Sequence, residues 1–348
     1  MTVNRAMVLE VPRPIAEAPL SLHEQQLTPG PGEMLLEVSA CAVCRTDLQL
    51  VEGDLPARRL PMVPGHQAVG RVIAIGDGVS GWEIGARAGV TWLAWSCGDC
   101  EACNVDLENL CASSEFTGWD RDGGYATTMT VAADFAVRVP PQFTDLEAAP
   151  LLCGGVIGYR ALRLAGVPGI GDVPWKLGFR LGLYGFGASA SLAIQVAVHL
   201  GCRVHVASRS DADLEHAREL GAESVGGYAD PPPAPLDAAV TFAPAGSVVI
   251  DALRALAPGG TVVINAIHLD RVPAFDYDLL WLERGLRSVA NVTRRDAREF
   301  LALAAQIQIR TRTFTYPLED ANRALADLAA GRIGAGAAVL VLPTTNRT

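Results

Sequence analysis

The hydrophobic pattern is clearest between residues 181 and 266, where short apolar runs alternate with amphipathic stretches. Leu181-Gly-Leu-Tyr184 predicts a strand, and Gly185-Phe-Gly-Ala-Ser-Ala190 a tight turn of small residues. Ser191 to Leu200 places apolar residues at helical spacing, and Cys202-Arg-Val-His-Val-Ala207 alternates with the period of a second strand. Further on, Asp213 to Leu220 predicts a helix stopped by Gly221, and Asp237-Ala-Ala-Val-Thr-Phe242 a strand. Val248 to Leu256 predicts a helix ended by Pro258-Gly-Gly260, with Thr261 to Ala266 as the next strand. Asp230-Pro-Pro-Pro-Ala-Pro235 reads as a surface loop within this α/β region. Leu181 to Leu200 carries no formal charge over roughly the length of a membrane span. Gly182, Gly185, Gly187, Ser189 and Ser191 interrupt it, however, and strand, turn and helix account for it better.

Strand, glycine-rich turn, helix and strand in that order form the dinucleotide-binding unit. Gly185 permits the tight turn and Gly187 lets the backbone approach a pyrophosphate, whose charge sits at the helix N-terminus; Ala190 takes the third glycine's place. Sites specific for NAD carry an acid at the end of the second strand to accept from the ribose 2′-hydroxyl. Here the strand ends in Ser208-Arg209-Ser210, two hydroxyls and a guanidinium suited to a 2′-phosphate, while Asp211 and Asp213 come slightly late. NADP(H) is therefore favoured over NAD(H); the alternative is a solvated Arg209 and an enzyme accepting both.

The chain has 348 residues, half of them hydrophobic and 19% charged, which suits two domains with large interiors and excludes a disordered chain. Its 35 glycines and 22 prolines show no period, so collagen-like and linker-like readings fail. Net charge is −10 without a dense basic run, which makes nucleic acid and membrane surfaces poor partners. Met1 to Glu10 lacks a long apolar core followed by a small-residue cleavage site, so a cytoplasmic location is expected.

Eight cysteines in a chain of this length without a secretion signal argue against a disulfide scaffold. Cys97, Cys100, Cys103 and Cys111 lie in WSCGDCEACNVDLENLC, where thiolates every third residue around Gly98 can converge on one ion. A closed four-sulfur shell suits structural zinc and leaves no position for chemistry, although thiolates alone do not exclude an iron–sulfur cluster. Cys44, His66 and Cys153 form a second set. Two thiolates and one imidazole with a fourth position free is a catalytic zinc pattern, but spacing alone does not join these three.

The segments CAVCRTD, VPGHQAVGRV, the four-cysteine lobe, DGGYAT, APLLCGGVIGYRAL, LYGFGASA and PLEDANRALADLAAGRIGAGAAVLV occur in a fixed order along the chain. In these it resembles the zinc-dependent medium-chain alcohol dehydrogenases, and within them a bacterial subgroup whose cofactor loop reads LYGFGASA. The resemblance implies an α/β protein with a mostly-β GroES-like catalytic domain over 1–152, including a zinc lobe at 93–112. A doubly wound Rossmann domain over 153–290 and a return to the catalytic domain over 291–348 complete it. It also joins Cys44, His66 and Cys153 into a catalytic zinc site, giving two zinc ions per subunit.

On this resemblance Thr46 starts a proton relay from the substrate oxygen; the lesser alternative is a helix N-cap after the Cys44 turn. Asp47 is implied to hold the other ring nitrogen of His66. Arg45 is a candidate pyrophosphate contact. Gly185, Phe186, Gly187, Ala188, Ser189, Ser208, Arg209, Ser210, Phe242, Ala266 and Ile267 make up the implied cofactor surface. Leu55, Trp92, Leu93 and Trp119 are implied to line the substrate pocket, though any of them could be core. The loop Leu48 to Leu55 lacks an aromatic, which points to a wide apolar pocket and a medium or aromatic aldehyde. Three positions depart from the family. Gln67 replaces the Glu after the zinc-binding His, Gln49 replaces the terminal relay histidine, and Ile157 stands where many members carry Thr. A homodimer or homotetramer is expected. Rival readings are reduction of an activated C=C or C=N bond and a non-catalytic nucleotide-binding zinc protein.

Overall fold

The computed structural model describes residues 4–171, 173–174, 177–266 and 269–343. Ile267, expected among the cofactor contacts, lies outside the described residues. Two compact units divide the chain. One reaches to Cys153 and resumes over Asn291–Ala305 and from Arg310 onward, and the other takes Gly154–Ala290 and Gln306–Ile309.

The first unit opens with a hairpin of β1 (Asn4–Leu9) and β2 (Leu20–Gln25). Its central strand is β3 (Glu33–Ala42), where Met34, Leu36, Val38 and Ala40 are buried at alternate positions, as one core-facing side of a strand requires. Helix α1 (Arg45–Glu52) follows almost at once, and Gly53 ends it in the left-handed region, φ 88°. Strand β4 (Ala68–Ile75) pairs antiparallel with β3, and β5 (Arg87–Val90) with β4. Strands β6 (Leu93–Trp95) and β7 (Glu115–Phe116) pair across the base of a lobe that contains the short α2 (Glu101–Asn104). Strand β8 (Thr128–Ala132) joins the first half of β3, and β9 (Ala136–Arg138) joins β5. Helix α3 (Asp145–Ala148), whose N-terminus Thr144 and Glu147 cap reciprocally, runs into a 3-10 turn that delivers Cys153. Gly89 of β5 makes room for that turn: a Cβ there would lie 2.7 Å from Leu152.

The second unit begins with α4 (Gly154–Leu164) and builds a fully parallel sheet from β10 (Arg180–Tyr184). Then come α5 (Ala188–His199), β11 (Arg203–Ala207), α6 (Asp211–Glu219), β12 (Ser224–Gly226), β13 (Leu236–Thr241), α7 (Gly246–Arg254), β14 (Leu256–Ile264) and β15 (Gly285–Ser288). The sheet order β12-β11-β10-β13-β14-β15 reverses direction between β10 and β13, the arrangement of a doubly wound nucleotide-binding sheet. Leu181, Leu183, Val206, Val240, Val262 and Val263 are fully buried, as strands covered on both faces require. One expectation fails locally. Pro258-Gly-Gly260 does not end α7, which stops at Arg254; those residues belong to β14. The β13–β14 register jumps from Leu236↔Leu256 to Ala238↔Thr261, with Gly259 at φ +75°. A bulge tolerates a proline that a regular ladder would not.

The return to the first unit carries most of α8 (Arg294–Ile307), then β16 (Thr313–Pro317), α9 (Ala321–Ala329) and β17 (Ala337–Val341). Strand β17 pairs with Ala40–Ala42 at the end of β3, and the Val43 N–H donates to the Ala338 carbonyl at 2.8 Å.

Candidate active site

Cys44 stands where β3 gives way to α1, in extended conformation at the helix N-cap position. His66 sits on the loop before β4, just after Gly65 at φ +99°, and Cys153 ends the turn after α3. The ligand atoms of these three residues lie within 4.8 Å of one another. The cap of α1 is Cys44 and not Thr46, because Asp47 turns back to accept the Cys44 N–H at 2.8 Å. Thr46 is buried in the first turn, its Oγ1 3.8 Å from the Cys44 Sγ.

Asp47 does more than cap. Its Oδ1 accepts from His66 Nδ1 at 3.0 Å and from the Gly65 N–H at 3.3 Å. Donation from Nδ1 leaves Nε2 as the ligand nitrogen, and Nε2 is buried without a hydrogen-bond partner. Burial works against charging His66, yet the Asp47 carboxylate outweighs it and carries the ring's pKa up to about 10. The Cys153 thiol donates to Cys44 and, with His66 alongside, holds Cys44 well below the ordinary thiol range in spite of burial. Cys153, as that donor and a buried group, is held well above it. An orphaned imidazole nitrogen beside two sulfurs, one of them inclined to be thiolate, is a donor set that fits zinc with a fourth position free for substrate oxygen.

The departures find concrete places. Gln67 is buried and its Nε2 donates to the Ala42 carbonyl at 3.4 Å, so its amide is tied to β3. Gln49 is half-buried on α1, and Arg45 is exposed on its first turn.

Beside His66, Trp92 lies 5.9 Å from the imidazole, centroid to centroid. Trp92 stacks with Trp119 at 6.0 Å and packs against Phe116 at 5.0 Å. Leu93 is buried with Phe116 and Phe135, and Leu55 is half-buried. Phe116 and Arg58 were not anticipated. The Arg58 guanidinium lies 3.8 Å over the Trp119 ring and its Nη1 bonds the Asp120 carboxylate at 3.0 Å. The Phe116-x2-Trp119 spacing beside the lobe was the available signal for the wall; nothing in the sequence pairs Arg58 with it.

In the lobe, Cys97, Cys100, Cys103 and Cys111 likewise bring their sulfurs within 4.8 Å. Gly98 turns the chain at φ +77°, and the Cys103 backbone N–H, followed by the neighbouring thiols, brings Cys100 down to about 7. Buried Glu108 fastens the lobe to α8 by accepting from the Arg294 backbone N–H at 2.9 Å and its Nε at 3.2 Å.

In the second unit the turn after β10 places Gly185 at φ +91°, where a Cβ would meet the Ala243 backbone nitrogen at 2.6 Å. Phe186 is buried edge-on to His216, and Phe242 donates its N–H to the Tyr184 carbonyl at 2.7 Å. Nothing lies within 4 Å of a Cβ built on Gly187, so the N-terminus of α5 at Ala188 and Ser189 is open to a ligand. Ala190 is fully buried, as the third position of the turn requires, and Ile157 on α4 is half-buried. Ala266 lies just beyond β14. At the end of β11, Ser208 donates to the Asp213 carboxylate at 3.2 Å, Ser210 caps α6 through the Asp213 N–H, and exposed Arg209 bonds the Tyr228 hydroxyl. Burial raises the Asp213 carboxyl above its usual range.

Comparison with known proteins agrees with both halves. The alcohol dehydrogenase GroES-like domain matches residues 30–141, and the zinc-binding dehydrogenase domain matches residues 190–306. A probable alcohol dehydrogenase AdhA of Mycobacterium tuberculosis is 47% identical over 338 residues, covering 95% of each chain. An alcohol dehydrogenase of Geobacillus stearothermophilus is 32% identical over 321 residues, 87% of this chain and 90% of its own. The crystal structure of AibC superposes with a TM-score of 0.88 at 29% identity, over 98% of this chain and 96% of that one. The chain belongs to the zinc-dependent medium-chain dehydrogenase/reductase family, and its architecture is the expected GroES-like domain with a Rossmann domain.

The closed cysteine shell yields a prediction. If the four sulfurs hold a metal, Cys100→Ser should release it and lower the melting temperature by several degrees, about 1–3 kcal/mol of stability. Metal analysis and thermal unfolding check it. Unchanged melting with lost turnover would contradict a structural role.

Proposed function

We propose that this chain interconverts alcohols and aldehydes or ketones by hydride transfer with a nicotinamide dinucleotide, using a catalytic zinc on Cys44, His66 and Cys153 and a second zinc in the cysteine lobe. The observation that carries the reading is the convergence of two sulfurs on the unpartnered Nε2 of His66. Bound zinc supplies Lewis acidity at the substrate oxygen, and the bound nicotinamide supplies or accepts the hydride. The protein's own part is positional. Asp47 fixes the His66 tautomer, and Cys44 and Cys153 would hold the zinc as thiolates. Thr46, with its hydroxyl beside the Cys44 sulfur, would take the alcohol proton as it passes its own onward. Gln49 cannot carry that proton further, so it leaves through water. The Trp92, Phe116 and Trp119 rings favour a medium-chain or aromatic carbonyl compound.

NADP(H) is the proposed coenzyme. Arg209 supports it as an exposed guanidinium just after β11, with the charge and planar donors that suit a 2′-phosphate. The Asp213 carboxylate held by Ser208 works against it, since it places negative charge beside the same corner.

A homo-oligomer is proposed through the free edge of the second unit's sheet. Strand β15 ends the strand order, and Tyr277, Trp281, Leu282 and Leu286 around it are exposed. Pairing two such edges across a two-fold axis would cover both the unpaired backbone and these side chains.

Four outcomes test the reading. Cys153→Ala should lose one zinc of two and nearly all turnover with an aldehyde and alcohol panel, while melting barely moves; retained activity overturns the assignment. The same panel extended to enals and cyclic iminium ions separates carbonyl reduction from C=C or C=N reduction. Arg209→Ala should weaken NADPH binding by about 1.5–3 kcal/mol, roughly ten- to a hundredfold, and leave NADH unchanged by fluorescence titration. Trp281→Lys with Leu286→Lys should shift the mass measured by light scattering towards the monomer; an unchanged mass overturns the proposed interface.

A further inference from the structure

The segment Asp122-Gly-Gly-Tyr-Ala126 belongs to no strand, yet it is laid against the loop that carries His66. Gly123, Gly124 and Tyr125 donate successive N–H groups to the carbonyls of Val63, Gly65 and Pro64, at 2.7, 2.8 and 3.0 Å. Both glycines are there for closeness: a Cβ on Gly123 would lie 2.1 Å from the Gly65 oxygen, and one on Gly124 2.5 Å from the Ala68 Cβ. Gly65 in turn faces the Tyr125 ring, where a Cβ would lie 2.3 Å away. Tyr125 is fully buried, and its hydroxyl donates to Asp47 Oδ2 at 3.2 Å. That is the same oxygen that takes the Cys44 N–H, while the other oxygen takes His66 and Gly65.

We propose that Tyr125 is a positioning residue of the metal centre: its phenol holds the Asp47 carboxylate at the rotation that aims His66 Nε2 at the metal and seats Cys44 at the head of α1. The proposal rests on the catalytic-zinc reading above. Physically, a carboxylate with two neighbours on each oxygen has little freedom to turn. Removing the phenol leaves Oδ2 with one donor, so the carboxylate is free to tilt and carry the imidazole with it. Burial, followed by the Asp47 charge, raises the Tyr125 phenol well above its usual range, which keeps it a donor throughout the working pH span.

Tyr125→Phe in the full-length enzyme keeps the ring and deletes the hydroxyl. Release of zinc to the chelator pyridylazoresorcinol should then become about tenfold faster for the catalytic ion, while the lobe ion leaves at the parent rate. In cobalt(II)-substituted protein, the visible bands of the two-sulfur, one-nitrogen site should shift. NADPH affinity by fluorescence should not change. Unchanged release with unchanged cobalt bands overturns the inference. So does faster release of both ions together with lower melting, because the hydroxyl would then serve packing alone. A parent protein that binds no second zinc overturns the catalytic reading itself and this inference with it; a parent with two zinc ions confines any failure to Tyr125.

Discussion

A buried carboxylate needs donors on every side, and in this protein that requirement organises the whole catalytic unit. Asp47 is almost wholly inside the protein. It is satisfied by groups from three separate stretches of chain: the head of α1, the loop before β4 and the glycine strap that follows the lobe. An unpaired charge at that depth would cost several kcal/mol. The three stretches are therefore held together by the same electrostatic demand that orients the imidazole. The two sulfurs have their geometry imposed from outside by β3 and by the turn that Gly89 admits. Rigid surroundings of this kind let a small number of ligand atoms hold a metal without closing the position where substrate binds.

The second unit answers a different demand. A dinucleotide must come close to the backbone, so side chains are withdrawn where it lies. Gly185 is held at a positive φ against Ala243, Gly187 is open, and Ala190 is buried beneath the first turn of α5. Under the proposed function, discrimination between the two dinucleotides falls to polar residues after β11, where Arg209 and Asp213 carry opposite charges.

Much of this was legible in the residues. Periodicity located β10, α5, β11, α6 and β13 to within a few positions, because buried parallel strands are nearly pure apolar runs and the helices between them begin and end on recognisable caps. The four-cysteine lobe announced itself through its spacing. Pro258-Gly-Gly260 misled, because a bulge inside a strand and a helix stop use the same residues. Thr46 reads as a relay hydroxyl with a helix cap as the alternative; the cap position falls to Cys44, whose N–H Asp47 accepts. Cys44, His66 and Cys153 could be joined only through the family resemblance, since contacts across long stretches of sequence leave no periodic trace. The Arg58 and Asp120 clasp over Trp119 and the bond from Tyr125 to Asp47 are of that same kind, and spacing offered no route to them.

The strand β17 comes from the far end of the sequence, yet it flanks β3 where that strand delivers Cys44, and Val43 leans on Ala338. During translation the N-terminal stretch therefore emerges with one side of its sheet missing. At roughly 5–20 residues per second, the missing neighbour arrives on the order of 15–60 s later. Until then the strand that delivers Cys44 lacks one of its neighbours. The frame around the Cys44 turn is therefore complete only once β17 has been made.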